Sequence, residues 1–456
     1  MHKPIPPPSF ESLMARVTAD PQRFVNLVTS SPLRGPADRY LPWDEFRRRP
    51  APEGFTREES WFVLRLARNS MRRTLPLVDT NGKPFTYALP DEALRGIEAV
   101  NRDASGQIAI TEQVTNPATR DRYLVSSLIE EAITSSQLEG AATTRQVAKD
   151  MIRSGRPPQT RDERMILNNY RAMRRIGELR RERLSPELIY EIHRMVTEDT
   201  LDDPTASGRC QSPEEERVGV WDGDQLLHEP PPAHTLPERI QRLCDFANDE
   251  TDGQYVPPVV RAIALHFMLG YDHPFQDGNG RTARALFYWA MLNRGYWLTE
   301  FLSISRILKA APAQYARSFL HTEQDDNDLT YFVLYQLRVI QRAIRELHNY
   351  LDRKIRDLQE VRRNLAGMPG EFNHRQLAVL QHAMGNVDAE YTVQSHMNSH
   401  GVVHETARKD LLELEARGLL VRHRVGKAYA WVPARDLASV LRQRRSKRST
   451  SQGGKH

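Results

Sequence analysis

The sequence predicts a mainly α-helical protein with one small β-hairpin inside its helical part and a compact helix-and-ribbon domain near its C-terminal end. Three observations carry this. Apolar residues recur at helical spacing through most of residues 58–365. Within them, Val218-Gly-Val-Trp-Asp-Gly-Asp-Gln-Leu-Leu227 reads as a hairpin about a turn at Asp222-Gly-Asp. Beyond 371, two short helices, a turn, a third helix and two strand-like runs joined at Gly426 follow the order of a winged helix-turn-helix.

Length and composition set the frame. A chain of 456 residues accommodates roughly two to four domains. A net charge of +5 permits nucleic-acid contact without requiring it. Cys210 and Cys244 lack metal-ligand spacing, which argues against zinc and disulfide frameworks. No apolar run reaches ~18 residues and the N-terminus lacks a signal-peptide core, so the expectation is a cytoplasmic protein with no membrane partner.

Residues 1–50, rich in proline and arginine, read as a lead-in that orders on contact, interrupted at Pro32-Leu-Arg-Gly-Pro36 and Arg47-Arg-Arg-Pro50. Residues 51–180 form an N-terminal helical region. In it, 58–73 has Trp61, Val63, Leu64, Leu66 and Ala67 at helical spacing, Asn81-Gly-Lys-Pro84 is a turn, and 91–101 is a short helix. Its strongest element is 124–139, where Leu124, Val125, Leu128, Ile129, Ala132, Ile133 and Leu138 mark one stripe stopped by Gly140. Helices at 164–181, 186–198 and 236–248 follow. The hairpin and the stiff segment His228-Glu-Pro-Pro-Pro232 lie between the last two, as a candidate flap over a site. A core at 181–325 also holds an apolar helix at 259–271, the apolar run Ala285-Leu-Phe-Tyr-Trp-Ala-Met-Leu292, and helices at 299–309 and 312–323. Residues 326–365 are a helical connector, with helices at 328–337 and from 340 to 365. Ala366-Gly-Met-Pro-Gly370 marks the boundary to the winged helix-turn-helix at 371–435, and 436–456 is a basic, disordered tail.

The chemistry concentrates in His273-Pro-Phe-Gln-Asp-Gly-Asn-Gly-Arg-Thr-Ala-Arg284. Arg281 and Arg284 sit in the first turn of the following helix, where the macrodipole disfavours positive charge, and being three apart they share a face. Such a breach of local preference points to a ligand, most simply a polyphosphate with a divalent metal. His273 has the intrinsic pKa of a general base near neutrality. Asp277 offers a hard oxygen to Mg²⁺. Gly278, Asn279 and Gly280 can present backbone donors at a helix start, and the two arginines suit phosphate. The stretch has no Ser or Cys nucleophile, so the attacking group belongs to a substrate and His273 would take its proton. Singly, these residues read as a structural histidine, a helix cap and a turn; in fixed combination they read as a site. A P-loop is absent. Glu139 breaks the converse rule, a negative charge at a helix C-terminus, with Ser135 one turn earlier placed to orient it.

The central stretch resembles the signature of the Fic family, H-P-F-x-(D/E)-G-N-G-R-x-x-R, with every specified position filled. Ser135-Ser-Gln-Leu-Glu-Gly140 resembles that family's inhibitory motif, (S/T)-x-x-x-E-(G/N). The resemblance spans about residues 35–365 and is strongest over 120–325. It implies an all-helical Fic core and a protein adenylyltransferase, moving AMP from ATP to a Ser, Thr or Tyr hydroxyl of a target protein with Mg²⁺ as cofactor. By that likeness His273 deprotonates the hydroxyl, Asp277 holds the metal and Phe275 anchors the loop. Gly278, Asn279 and Gly280 line the anion hole, Arg281 and Arg284 hold the distal phosphates, and 218–232 aligns the target chain as an added strand. Glu139 would pair with Arg284 and occupy the γ-phosphate position, making the enzyme autoinhibited. One departure is Gly208-Arg-Cys-Gln211, which has glutamine where an arginine is expected. The resemblance also allows a homodimer. Other readings stay open: a DNA-binding regulator with the core as nucleotide sensor, or an enzyme that transfers another nucleotide or removes AMP. In the C-terminal domain, Thr406, Arg408 and Lys409 are candidate duplex-DNA contacts, with Arg422, His423, Arg424 and Lys427 on the wing. A protein partner there is the alternative.

Overall fold

A computed structural model of the chain describes residues 2–30, 39–105, 117–250, 255–366, 372–385, 389–425, 428–437 and 439–441. The described residues are mainly helical with small β-hairpins, as the sequence predicts. Two compact units divide between Leu347 and His348, earlier in the chain than the boundary expected at 366–370. Gly367–Gly370, Gly426, Lys427 and the basic tail from 442 lie outside the described residues.

The first unit opens with helices α1 (Phe10–Thr18), α2 (Pro21–Ser30), α3 (Trp43–Phe46) and α4 (Arg57–Met71). The described residues of the lead-in are thus folded. Ser9 caps α1 and a Thr56–Glu59 capping box starts α4. Leu13, Val17 and Leu27 bury themselves against Trp43, Phe46, Trp61 and Phe62. The turn at 81–84 joins two strands that the sequence reading missed, β1 (Arg73–Val78) and β2 (Pro84–Tyr87), paired antiparallel with Arg73 opposite Tyr87. Pro76 inside β1 disguises the alternation that buries Leu75 and Leu77.

Next come α5 (Asp91–Ser105), α6 (Pro117–Leu138), α7 (Arg145–Ser154), α8 (Arg161–Leu179) and α9 (Pro186–Thr197). The flap strands β3 (Val220–Asp222) and β4 (Gln225–His228) pair with Asp222 opposite Gln225, and Gly223 supplies the positive φ the turn needs. α10 (Leu236–Ala247) leads to α11 (Pro258–Asp272) and α12 (Asn279–Asn293), which pack on each other at the centre. Both are buried on nearly every side, as helices enclosed by others are. α6, α8 and α9 pack around α12.

Two helical expectations need correction. The helix expected at 299–309 is a 3₁₀ turn, Trp297–Phe301, followed by α13 (Ile304–Ala310). The break has a buried cause: Glu131 of α6 accepts from Ser303 Oγ at 3.0 Å and from Ser305 N at 3.1 Å, as well as from the Ser305 hydroxyl. After α14 (Pro312–Gln324), the two connector helices are one, α15 (Thr330–Ala366); Arg338-Val339 contains nothing that would stop a helix.

The second unit contains α16 (His374–Gly385), β5 (Tyr391–Thr392), α17 (Val393–His400), α18 (His404–Ala416), β6 (Leu420–Val425) and β7 (Ala428–Pro433). The ribbon gains β5 as a third strand, in the order β5-β7-β6. Leu380, Leu411, Leu414, Leu419 and Trp431 form its core. Asp410 is buried within it, held by Arg375 at 2.7 Å, Asn373 at 2.7 Å and His396 at 3.1 Å.

Candidate active site

The loop between α11 and α12 is where the candidate residues meet. α11 ends at His273, which adopts the left-handed conformation (φ 42°, ψ 55°) while its N–H still donates to Leu269 O at 3.0 Å. A histidine in that region is strained and must be held by its surroundings. Burial and the neighbouring His228 and Arg217 cations push its pKa down to about 4, against the opposing pull of Glu139. At neutral pH the imidazole is therefore uncharged and able to accept a proton.

Beneath the loop, Phe275 is fully buried and stacks on His193 of α9, with centroids 3.8 Å apart. His193 accepts at Nδ1 from Gly208 N and directs Nε2 to Asp277 O, each at 2.9 Å. Asn279 turns its side chain inward, accepting from Phe275 N at 2.9 Å and donating to Phe275 O at 2.7 Å. Its amide also lies 3.3 Å from His273 Nδ1. The side chain of Asn279 is accordingly a brace, and its share in an anion hole reduces to its backbone.

At the start of α12, Gly278 (φ 82°) serves as N-cap with no side-chain cap bond, leaving first-turn N–H groups to an external acceptor. A Cβ on Gly280 would come 2.1 Å from Glu139 Oε1 and 2.9 Å from Arg284 Nη1. The glycine is what lets these groups, or a phosphate in their place, approach the backbone.

The two arginines differ. Arg281 is fully buried, donating from Nη1 to Val196 O at 2.7 Å and from Nη2 to Asp277 Oδ2 at 3.2 Å. In this arrangement it braces the loop, and Nη2 is its edge toward Asp277. Arg284 meets the end of α6 instead. Its Nε donates to Ser135 Oγ at 2.8 Å, and Nη2 donates to Ser135 O and to Glu139 Oε1, both at 2.9 Å.

Asp277 keeps part of its carboxylate in solvent, with Arg161 3.9 Å away. No group of three His, Cys, Asp or Glu suited to a metal occurs among the described residues. One hard, half-exposed carboxylate beside a row of helix-start donors nevertheless fits Mg²⁺, which is commonly held by one or two carboxylates together with substrate phosphates.

The Fic/DOC family matches residues 183–291. These residues form a Fic domain. It contains α9, the flap, α11, the loop and α12, whereas Ser135 and Glu139 precede it. Two adenylyltransferases resemble part of the chain. "Protein adenylyltransferase fic-1" of Caenorhabditis elegans is 32% identical over 115 residues, covering 25% of this chain and 20% of that protein. "Protein adenylyltransferase Fic" of Nematostella vectensis is 33% identical over 118 residues, covering 25% and 24%. The matches therefore span about a quarter or less of those relatives. A crystal structure of a Fic family protein from Desulfovibrio desulfuricans G20 shares the fold, with a TM-score of 0.51 and 19% identity over 76% of this chain and 97% of that one.

Sequence reasoning did not single out His193, Arg161 or Arg217 around the Fic domain loop. A histidine on an apolar helix face carries no signal beyond burial, and Arg217 closes an ordinary charged run, Glu214-Glu-Glu-Arg217. In the second unit, Arg408 is exposed and 3.5 Å from Glu405, Lys409 is exposed, and Thr406 is half-buried. Arg422 pairs with Glu415 at 3.3 Å and His423 with Glu390 at 3.4 Å. No helix among the described residues is long and apolar enough to cross a membrane.

Proposed function

We propose that this chain is a protein adenylyltransferase that Glu139 holds in an inhibited state. The observation that carries the reading is the contact of Glu139 and Ser135 with Arg284 at an uncapped glycine turn, beside a neutral His273. The names of the two relatives support the reaction class.

In the proposed reaction, a hydroxyl of the acceptor protein gives its proton to His273 as its oxygen forms a bond to the α-phosphorus of ATP. The bond from that phosphorus to the bridging oxygen breaks, and pyrophosphate leaves with the bonding pair. The N–H groups at the start of α12 face the phosphates, and Arg284, once free of Glu139, takes the γ-phosphate. Asp277 would hold Mg²⁺, which when bound neutralises phosphate charge. Arg281 fixes the Asp277 carboxylate. Residues 218–232 would receive the acceptor chain as an added strand.

The test is incubation of the parent and the Glu139→Gly variant with Mg²⁺, cell lysate and ATP labelled at the α- or the γ-phosphate. Label from the α-position should enter protein, more in the variant, and none should enter with His273→Ala. Transfer of γ-label would overturn the reading, and binding of ATP without any transfer would favour a nucleotide sensor. We read the second unit as a winged helix that contacts duplex DNA through Thr406, Arg408 and Lys409, supported by the exposure of both cations on α18.

A further inference from the structure

The last three carbonyls before the site loop belong to Tyr271, Asp272 and His273, and each receives a side chain from a leg of the flap. His228, the last residue of β4, directs Nε2 to Tyr271 O at 2.7 Å and Nδ1 to Glu323 of α14 at 2.7 Å. With an acceptor facing each ring nitrogen, this imidazole favours its doubly protonated form. Arg217, on the leg leading into β3, donates from Nη2 to Asp272 O at 2.8 Å and to His273 O at 3.2 Å. Its Nε donates to Pro231 O on the opposite leg at 2.8 Å, and its Nη1 donates to Gln211 Oε1. Gln211, which stands where an arginine was expected, donates its backbone N–H to Pro274 O at 2.8 Å.

Helix-end carbonyls lack partners within the helix, and a cation there is favoured by the helix dipole. The choice of carbonyls matters more than the charge. The Asp272 carbonyl belongs to the peptide before His273, and the His273 carbonyl to the peptide after it. The orientations of those two planes are the φ and ψ of His273. One guanidinium nitrogen therefore fixes both torsions of a residue that occupies the strained left-handed region. Because Nε of the same guanidinium holds Pro231, those torsions are tied to closure of the flap at its base.

We propose that Arg217 is a positioning residue for the base: it holds His273 in its working conformation and couples that conformation to the flap. The acceptor's docking strand and the group that deprotonates it are thereby set as one unit. This rests on reading His273 as the base in transfer to a protein hydroxyl. The hydrogen bonds of Arg217 among the described residues go to Pro231, Gln211, Asp272 and His273 and not to Glu139 or Arg284, so its role is separate from inhibition.

The test compares Arg217→Ala and Arg217→Lys, each combined with Glu139→Gly, using α-labelled ATP and a fixed lysate. Arg217→Ala should lower kcat by about ten- to a hundredfold, the scale expected for a misplaced catalytic group, while the KM for ATP stays near its parent value. Arg217→Lys should fall between, since an ammonium reaches a carbonyl without the planar fork. Amide hydrogen exchange should show residues 218–228 losing protection in Arg217→Ala, with α8 and α12 unchanged. That exchange measurement needs no turnover. If the Glu139→Gly parent transfers no label, the transferase reading falls, and the exchange result still decides whether Arg217 secures the flap. The proposal is overturned if kcat is unchanged, if kcat falls only together with ATP affinity or melting temperature, or if flap exchange does not move. Should Arg217→Ala fail to fold, Arg217→Lys matching the parent in both kcat and flap exchange overturns it equally.

Discussion

Replacing Glu139 by glycine should raise AMP transfer by one to two orders of magnitude. The carboxylate accepts from Arg284 Nη2 at 2.9 Å, between a guanidinium that is 2% exposed and a glutamate side chain that is 27% exposed. A hydrogen bond to a charged group contributes about 1.5–3 kcal/mol net, and about 1.4 kcal/mol is a factor of ten, so its loss shifts the balance toward an accessible Arg284 by about 10- to 150-fold. The steric effect has the same sign. Glu139 Oε1 lies 2.1 Å from where a Cβ on Gly280 would stand, so the carboxylate fills the turn that a phosphate would enter. Ser135 still holds Arg284 in the variant, and the gain is not offset by a loose arginine. Glu139→Gln separates the two effects, keeping the shape and losing the charge, and should give an intermediate rate. The assay is the initial rate of α-label incorporation at ATP concentrations below saturation. A Glu139→Gly rate equal to the parent's would refute the inhibitory contact, and a Gln variant as active as the Gly variant would refute its steric part.

Four other outcomes are expected. In the Glu139→Gly background, transfer should stay level from neutral pH downward and fall only as His273 protonates, no higher than its pKa of about 4, because the base works only uncharged and the loss of Glu139 removes a pull that raises that pKa; a fall centred near neutrality in the pH–rate profile would contradict this. Phe275→Ala removes a fully buried ring stacked on His193 and should cost about 3–5 kcal/mol in denaturant unfolding. Gly280→Ala, also with Glu139→Gly, should weaken ATP binding in calorimetry, since its Cβ would lie 2.9 Å from Arg284 Nη1. Duplex DNA should bind the full chain in a salt-dependent way, and Arg408→Ala with Lys409→Ala should weaken binding and flatten the salt slope.

The site was legible to the extent that its chemistry is local in sequence. His273, Asp277, Gly278, Gly280 and Arg284 fall within twelve residues, and the misplaced charges of Arg284 and Glu139 could be matched because each offended the helix dipole at its own end. The brace was not legible. Asn279 reads as a backbone donor alone and Arg281 as phosphate-facing; the structure turns the Asn279 side chain onto Phe275 and Arg281 onto Val196, and only the fold puts those carbonyls within reach. The same holds for Arg217, whose partners are backbone atoms and so carry no side-chain signature. In the fold, long periodic helices were readable. The β1–β2 hairpin hid behind Pro76, and the break at Leu302 is set by Glu131, an acid on a distant helix.

The grip on Arg284 is unevenly built. Of the three hydrogen bonds that tie Arg284 to the end of α6, two come from Ser135, inside the helix, while the third comes from Glu139, one residue past the last helical position. Clearing the γ-phosphate position in the proposed enzyme then takes the rotation of one side chain, with no helix to melt and no subdomain to displace. Rotamer changes of partly exposed side chains equilibrate in nanoseconds or faster, far ahead of any turnover. Such an enzyme would have no memory of its last activation. Its rate would follow the instantaneous equilibrium population of one torsion, and a signal would act as a graded dial rather than a trip-switch.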